Sequence, residues 1–295
     1  MNPILVIGGT GTVGRQVLSR LAATGAHVRA MVRNPGAARL PTQVEVVRGD
    51  LTLPETLDGC LDGIDTVFLV WTAPAAAVAP TLERITKHAR RIVYLSAPLK
   101  TAHPLFQQPN PLRAMFEQIE RLIETSGLQW TFLRPGMFAA NALSWWAPQI
   151  RAGDVVRWPH LAAPTAPIDE RDIAAIAVRA LCEDGHAGAE YVLTGPQSLS
   201  QFEQVSTIGR VIGRSLRIEE ISLEDARNEC SLSCRRSPRI CCSTPGQRQS
   251  VNLRSSHPRS QRSPEHPRER SSTGRPITQR SFECDLEFGH AEGQR

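Results

Sequence analysis

The sequence predicts an α/β fold: a doubly wound parallel sheet, then a small C-terminal lobe, then a tail of different character. Three observations predict it. Short apolar runs alternate with amphipathic stretches through the first 135 residues, and that alternation specifies parallel strands joined by crossover helices. The first run, Ile4 to Ile7, passes directly into a glycine-rich turn. Finally, 41% of the 295 residues are hydrophobic, which supports a sizeable core, but they are unevenly spread along the chain.

The elements follow in order. Ile4 to Ile7 is four apolar residues in a row, as in a strand covered on both faces. Val13, Val17, Leu18 and Leu21 recur at helical spacing, so a helix follows the turn. Between them, Gly8, Gly11 and Gly14 fit G-x-x-G-x-x-G, while Gly9, Gly11 and Gly14 fit G-x-G-x-x-G. In such a turn one glycine allows a sharp bend, one lets a pyrophosphate approach the backbone, and one lets helix and strand pack closely. The helix start then offers free N–H groups and a positive dipole end to phosphates. A tight turn without ligand is the competing reading.

His27 to Arg33 reads as the second strand. In a dinucleotide fold its end reaches the adenosine ribose, where an acid suits NAD and an arginine suits the 2′-phosphate of NADP. No acid lies between Gly25 and Leu40, and Arg33 stands at the strand end, so NADP(H) is favoured over NAD(H). Arg29 reads as a solvated strand residue. Val44 to Val47 is a third strand, leading to Gly49-Asp50-Leu51. Asp50 is placed either to accept from an adenine amine or to cap the next helix. A short helix over Pro54 to Leu61, a strand over Asp65 to Val70, an alanine-rich helix over Ala75 to Ala89 and a strand over Arg91 to Ser96 come next. A helix over about Leu112 to Thr125, stopped by Gly127, leads to a strand from Gln129 that closes on Arg134-Pro135-Gly136.

From Met137 to Pro167 the chain reads as irregular, with Trp145, Trp146 and Trp158 either lining a substrate cleft or burying a loop. A helix capped by Asp169 runs to about Cys182. A strand over Glu190 to Leu193, a helix over Ser200 to Ile212 and a strand over Leu216 to Ile221 complete the lobe. The core is therefore assigned to residues 1–135 and the substrate lobe with its loops to 136–227.

Residues 228–295 form a low-complexity tail rich in Ser, Arg and Pro. Residues 1–228 hold 22 basic and 22 acidic side chains, whereas 229–295 hold 12 arginines, no lysine and 7 acids. The whole net charge of +5 thus sits in the tail, and the body has no basic bias toward nucleic acid. Three readings of the tail compete. It is a disordered arginine-rich arm for a polyanion, a metal site, or a segment translated out of frame. Cys230-x-x-x-Cys234 and Cys241-Cys242 lack a second pair at finger spacing, so no metal is expected. The abrupt switch in mid-domain and the absence of lysine beside abundant arginine favour the third reading, which predicts an incompletely covered lobe. Cys60 and Cys182, in the body, read as core thiols. With no run of about 18 apolar residues, no membrane span is expected. The chain enters a strand directly, so no signal peptide is expected and the cytoplasm is the default.

Several of these stretches together resemble the NmrA-like family of atypical short-chain dehydrogenase/reductase relatives. They are Gly8 to Gly14, Val32-Arg33-Asn34-Pro35, Gly49-Asp50-Leu51, Tyr94-Leu95-Ser96, Ser126-Gly127-Leu128 and Leu133 to Phe138 with Asn141. The resemblance runs from residue 1 to about 227, is specific for the family, and says little about substrate. It implies a Rossmann-like NAD(P)-binding domain and a small-molecule substrate. Gly8, Thr10, Gly11, Thr12, Val13 and Gly14 would hold the pyrophosphate, and Arg33 the 2′-phosphate. Asp50 and Leu51 would meet the adenine, and Pro135, Gly136, Met137 and Phe138 the nicotinamide end.

The chain departs from short-chain reductases in one respect that bears on chemistry. Neither Tyr94 nor Tyr191 has a lysine four residues on, so the Tyr-x-x-x-Lys acid is missing. Where relatives often carry Lys or His, the matching residue is Phe116, which supplies no general acid. Ser96, at the family's strand-end serine, is the candidate catalytic residue, either orienting a substrate carbonyl or bonding a loop. His103 is the nearest titratable alternative. Two functions compete: NADPH-dependent reduction of a quinone-like or other conjugated small molecule, and a non-catalytic NADP(H)-binding redox sensor. Nucleic acid would be a partner only through the tail.

Overall fold

A computed structural model describes residues 3–99, 111–226 and 228–229. His103 and the readings of the tail beyond residue 229 lie outside the described residues. The nucleotide-binding half runs β1 (Ile4–Ile7), α1 (Thr12–Ala23), β2 (Val28–Val32), β3 (Glu45–Arg48), α2 (Asp58–Leu61), β4 (Thr66–Val70), α3 (Val78–His88), β5 (Arg91–Leu95), α4 (Pro111–Glu124) and β6 (Gln129–Pro135). The lobe and the last core elements are α5 (Asn141–Trp145), α6 (Ala147–Ala152), β7 (Val155–Trp158), β8 (Pro164–Thr165), α7 (Glu170–Cys182), β9 (Ala189–Leu193), β10 (Leu199–Ser200), α8 (Gln201–Val211) and β11 (Arg217–Glu220).

Seven strands form one parallel sheet in the order β3-β2-β1-β4-β5-β6-β9. Successive residues of a strand face opposite sides, and β1 shows the result. Leu5 and Ile7 pack under α2, α3 and α4 with Leu57, Leu82, Ile119 and Ile123. Ile4 and Val6 pack under α1 and α7 with Val17, Leu21, Ile173 and Ala177. Helices thus cover both faces, and the doubly wound α/β fold read from the sequence is the fold observed. Among the described residues, no helix is long and apolar enough to cross a membrane.

Two expectations require correction. Arg29 is not solvated. Its side chain is only 15% exposed, and its guanidinium donates to Glu45 Oε2 at 2.9 Å and to the carbonyls of Cys60 and Asp62 at 3.0 and 2.8 Å. The end of α2 leaves carbonyls without helical partners, and Arg29 satisfies two of them. The stretch from Met137 to Pro167 is likewise not irregular, because it carries α5, α6, β7 and β8. Elements of two to six residues are too short to display a period. They are held instead by remote pairing: β7 runs parallel to β11 and β8 antiparallel to β10. Trp146 is buried with Ile150, Val156 and Val205, while Trp145 stacks on Trp158 at 5.3 Å. The tryptophans build the lobe's own core. Leu143, Phe202, Val211, Ile212 and Leu223 remain exposed on the lobe.

The chain crosses between sheet and lobe three times, and the crossings are hydrogen-bonded to one another. Gly136 N–H donates to the Leu193 carbonyl, Ile168 N–H to Met137, Ala139 N–H to Ile168 and Gly195 N–H to Ala166, all at 2.8–3.1 Å. At Gly195 the backbones approach so closely that a Cβ would lie 2.0 Å from the Pro167 carbonyl oxygen. Gly195→Ala should therefore cost about 3 kcal/mol, because two backbones must part. Gly63→Ala should cost about 1 kcal/mol, since Gly63 has φ +69° but open space around it. Urea denaturation of the two variants checks the contrast.

Candidate functional site

The candidate site lies at the carboxyl ends of the parallel strands, at the turn after β1, the ends of β2 and β5, and the neck after β6 that leads into the lobe. In the first turn, Gly8 adopts φ +90° with Val70 against it, and a Cβ on Gly14 would sit 2.2 Å from the Gly8 carbonyl oxygen. Gly8 therefore makes the bend and Gly14 the close helix–strand contact. Gly11 N–H donates to Gly8 O at 3.0 Å, and the first helical bond runs from Arg15 N–H to Gly11 O. No side chain caps α1. The N–H groups of Thr12, Val13 and Gly14 are without partners among the described residues, while Thr10, Gly11 and Thr12 are exposed. The helix start thus presents donors and the positive end of a 12-residue helix dipole to whatever sits over the turn. Val13 is instead buried against the second face of the sheet, so only its backbone is available.

Arg33 follows β2 directly and is exposed, with neither a hydrogen bond nor an ion pair among the described residues. Asp50 lies near enough for the Arg33 charge to act on it. The Asp50 carboxylate accepts from the Thr52 N–H at 2.9 Å and the Thr52 hydroxyl at 2.8 Å. The Thr52 amide, then its hydroxyl, hold the carboxyl below its ordinary range. Asp50 therefore caps its own turn, and the helical turn from Pro54 has no side-chain cap. The Leu51 side chain is buried in the core, which leaves only its backbone for an adenine.

At the ends of β5 and β6 the structure brings together residues that are far apart in sequence. Arg134 is 2% exposed. Its guanidinium donates to Glu120 at 2.9 and 2.7 Å and to Glu190 at 2.5 and 3.1 Å. Ser96 Oγ donates to Glu120 Oε1 at 2.6 Å. Burial works against the Arg134 charge, but the bonds to Glu120 and then Glu190 outweigh it and raise its pKa. Ser96 is thus turned toward a helix carboxylate. Sequence reasoning missed Glu120 and Glu190. The available signal was position: Glu120 stands between the buried Ile119 and Ile123 on the core face of α4, where an unpaired carboxylate would be costly. Tyr94, two residues before Ser96, is fully buried, and burial followed by the Glu120 charge pushes its phenol well above the ordinary range.

The neck after β6 is held from both sides. Besides the bonds at Gly136, Met137 and Ala139, Ala140 N–H donates to the buried Glu170 carboxylate at 3.0 Å. Glu170 opens α7, whose N-cap Asp169 accepts from the Arg171 N–H. The N–H groups of Met137 and Phe138 make no hydrogen bond among the described residues.

A family profile described as NAD(P)H-binding matches residues 8–184, from the glycine turn to the end of α7. The chain belongs to this NAD(P)H-binding family. A (4-alkanoyl-5-oxo-2,5-dihydrofuran-3-yl)methyl phosphate reductase of Streptomyces griseus is 40% identical over 230 residues, 76% of this chain and 79% of that protein. An NAD(P)H azoreductase of Xenophilus azovorans is 35% identical over 228 residues, again 76% of this chain and 79% of the relative. Among solved structures, a Citrobacter sp. triphenylmethane reductase complexed with NADP(H) superposes with a TM-score of 0.68. It is 22% identical and covers 78% of this chain and 83% of that one, a likeness of fold.

Two predictions follow from the buried groups of this NAD(P)H-binding protein. Glu120→Ala leaves part of the Arg134 charge uncompensated in the interior and should cost about 3 kcal/mol. Ser96→Ala, which removes one hydroxyl donor, should cost about 1 kcal/mol. Chemical denaturation separates them. Asp169 is held below its ordinary range by its hydrogen bond with the Arg171 side chain, against burial and with the Arg171 amide. A lowered folded pKa gives stability that is present above the unfolded pKa and lost as pH falls through the folded one. Asp169→Ala should therefore cost about 1 kcal/mol near neutrality, and the gap from the parent should close below about pH 4.

Proposed function

We propose that the chain is an NADPH-dependent reductase of a quinone-like or other conjugated small molecule. The observation that carries the reading is the uncapped start of α1 over the Gly8–Gly14 contact, with Arg33 exposed at the end of β2. Amide donors fit a pyrophosphate, and a guanidinium fits a 2′-phosphate as a forked partner. In this reading the N–H groups of Thr12, Val13 and Gly14 hold the pyrophosphate, with Gly8, Thr10 and Gly11 shaping the turn around it. Arg33 holds the 2′-phosphate, while Asp50 and the Leu51 backbone border the adenine. The Pro135 to Phe138 segment borders the nicotinamide.

Bound NADPH supplies a hydride. The chain's own part is to fix the ring against the neck and to admit the acceptor beneath the lobe. Phe116 stands where relatives often carry a proton donor, and Tyr94 is sealed in the core. The proton that balances the hydride therefore comes from water. That suits an acceptor whose conjugation spreads the developing negative charge, and it disfavours an isolated ketone. The relatives' names support the class, since an acyl dihydrofuranone and an azo compound are both conjugated electrophiles. The missing Tyr-x-x-x-Lys pair and Phe116 favour a second reading, an NADP(H) sensor without turnover.

Nucleotide fluorescence with NADPH and NADH tests the cofactor, and NADPH oxidation against a panel of quinones and azo compounds tests the reaction. Saturable binding that prefers NADPH is expected. Arg33→Ala should reduce that preference about tenfold, roughly 1.4 kcal/mol for one charged contact. Steady oxidation with at least one acceptor establishes the enzyme. Binding without turnover across the panel favours the sensor, and a folded protein that binds neither nucleotide refutes both.

A further inference from the structure

We infer that Arg15 is a positioning residue for the 2′-phosphate end of the cofactor site, an inference that rests on the cofactor reading above. It ties the loop after β2 to the glycine turn and so fixes the segment that begins at Arg33. Arg15 stands in the first turn of α1 and is exposed. A cation there faces the positive end of the helix dipole, and no acid pairs with it among the described residues. Two backbone carbonyls hold it instead. Arg15 Nε donates to Thr10 O at 2.9 Å, and a terminal nitrogen donates to Arg39 O at 3.3 Å. Thr10 belongs to the glycine turn. Arg39 lies 24 residues beyond Arg15, in the loop between β2 and β3. One guanidinium serves both, because its donors sit on separate nitrogens of a rigid plane.

The loop has little else to fix it. Its regular structure is one short turn, Pro35–Ala37. Ala37 N–H donates to Asn34 O and Ala38 N–H to Pro35 O, so these bonds stay inside the loop. Leu40 packs partly against the core under α1. Among the described residues, the bond from Arg15 is the one hydrogen bond that residues 34–40 receive from outside the loop. Asn34 follows Arg33 directly, and the two internal bonds close Asn34 to Ala38 into one piece. A hold at Arg39 is therefore a hold on the segment that starts at Arg33. Arg33 is exposed and without a partner, so its cost of ordering on a phosphate depends on how far its backbone is already fixed. Arg15 lowers that cost without touching the nucleotide. It also couples the turn that would hold the pyrophosphate to the strand end that would hold the 2′-phosphate.

The test is a double-mutant cycle on the ratio of NADH to NADPH dissociation constants in the full-length chain. Arg15→Ala should lower that ratio about threefold, the yield of one hydrogen bond. Its effect should vanish in the Arg33→Ala background, because a tie that acts through Arg33 then has nothing to present. A charge that met the 2′-phosphate directly would lower the ratio equally in both backgrounds. Should Arg15→Ala fold poorly, the cycle is run with Arg15→Gln, which lacks the fork. Trypsin supplies a second readout, followed by mass spectrometry. The Arg39–Leu40 bond should be cut about threefold faster in Arg15→Ala, since the Arg39 carbonyl is released. An unchanged ratio in Arg15→Ala, equal losses with and without Arg33, or an unchanged cutting rate at Arg39 overturns the inference. A folded parent chain that binds neither nucleotide, or whose preference for NADPH is absent or survives Arg33→Ala, overturns the cofactor reading, and this inference with it.

Discussion

The architecture depends on the contact between Gly14 and the Gly8 carbonyl oxygen. With no Cβ at Gly14, α1 settles directly onto the end of β1. From that position its apolar stripe, Val13, Val17, Leu18 and Leu21, closes one face of the sheet together with α7. The same approach leaves the first amides of the helix without partners among the described residues. Close packing and a donor-rich helix start are therefore one geometric fact. Any side chain at Gly14 would disturb both the core and the place where a phosphate would rest.

A second constraint holds the far end of the sheet. Arg134, Glu120 and Glu190 bring β6, α4 and β9 together through buried charges, and Ser96 adds β5. Buried ion pairs are weak arguments for net stability, because desolvation offsets most of their attraction. Their effect here is on geometry. A forked guanidinium accepts only a narrow range of carboxylate positions. The spacing between α4 and the strand ends, and the direction of the Ser96 proton, are set by that fork.

How much of this was legible depended on how local the determinant was. Strand, glycine turn and helix occupy the first 23 residues, and the pattern Val13, Val17, Leu18, Leu21 named the buried face correctly. Asp169 was legible as a cap because capping chemistry acts within a few residues. The lobe was not. Its strands are two to four residues long and are stabilised by partners 34 to 62 positions away, as in Leu199 with Thr165 and Arg217 with Val155. Arg29 looked like a solvated residue because its partners, the carbonyls beyond α2, belong to another turn of the chain. Glu120 carried a legible oddity, a charge on an apolar helix face. Its identity as a partner for Arg134 required the tertiary fold.

The neck where three chain crossings are stitched together has a mechanical consequence. The lobe is not a loop hung from one strand, since its crossings to the sheet at residues 136, 168 and 195 are bonded to one another in one knot. A body tied at one knot has one pivot. Rotation of the lobe about it would leave the seven-strand register intact and would carry the lobe, with its tryptophan core, across the strand ends. The segment Pro135 to Phe138 is itself one of the cords in the knot. The part of the chain that would border the nicotinamide is thus also the segment about which such a rotation would turn, so cofactor contact and lobe position would be coupled.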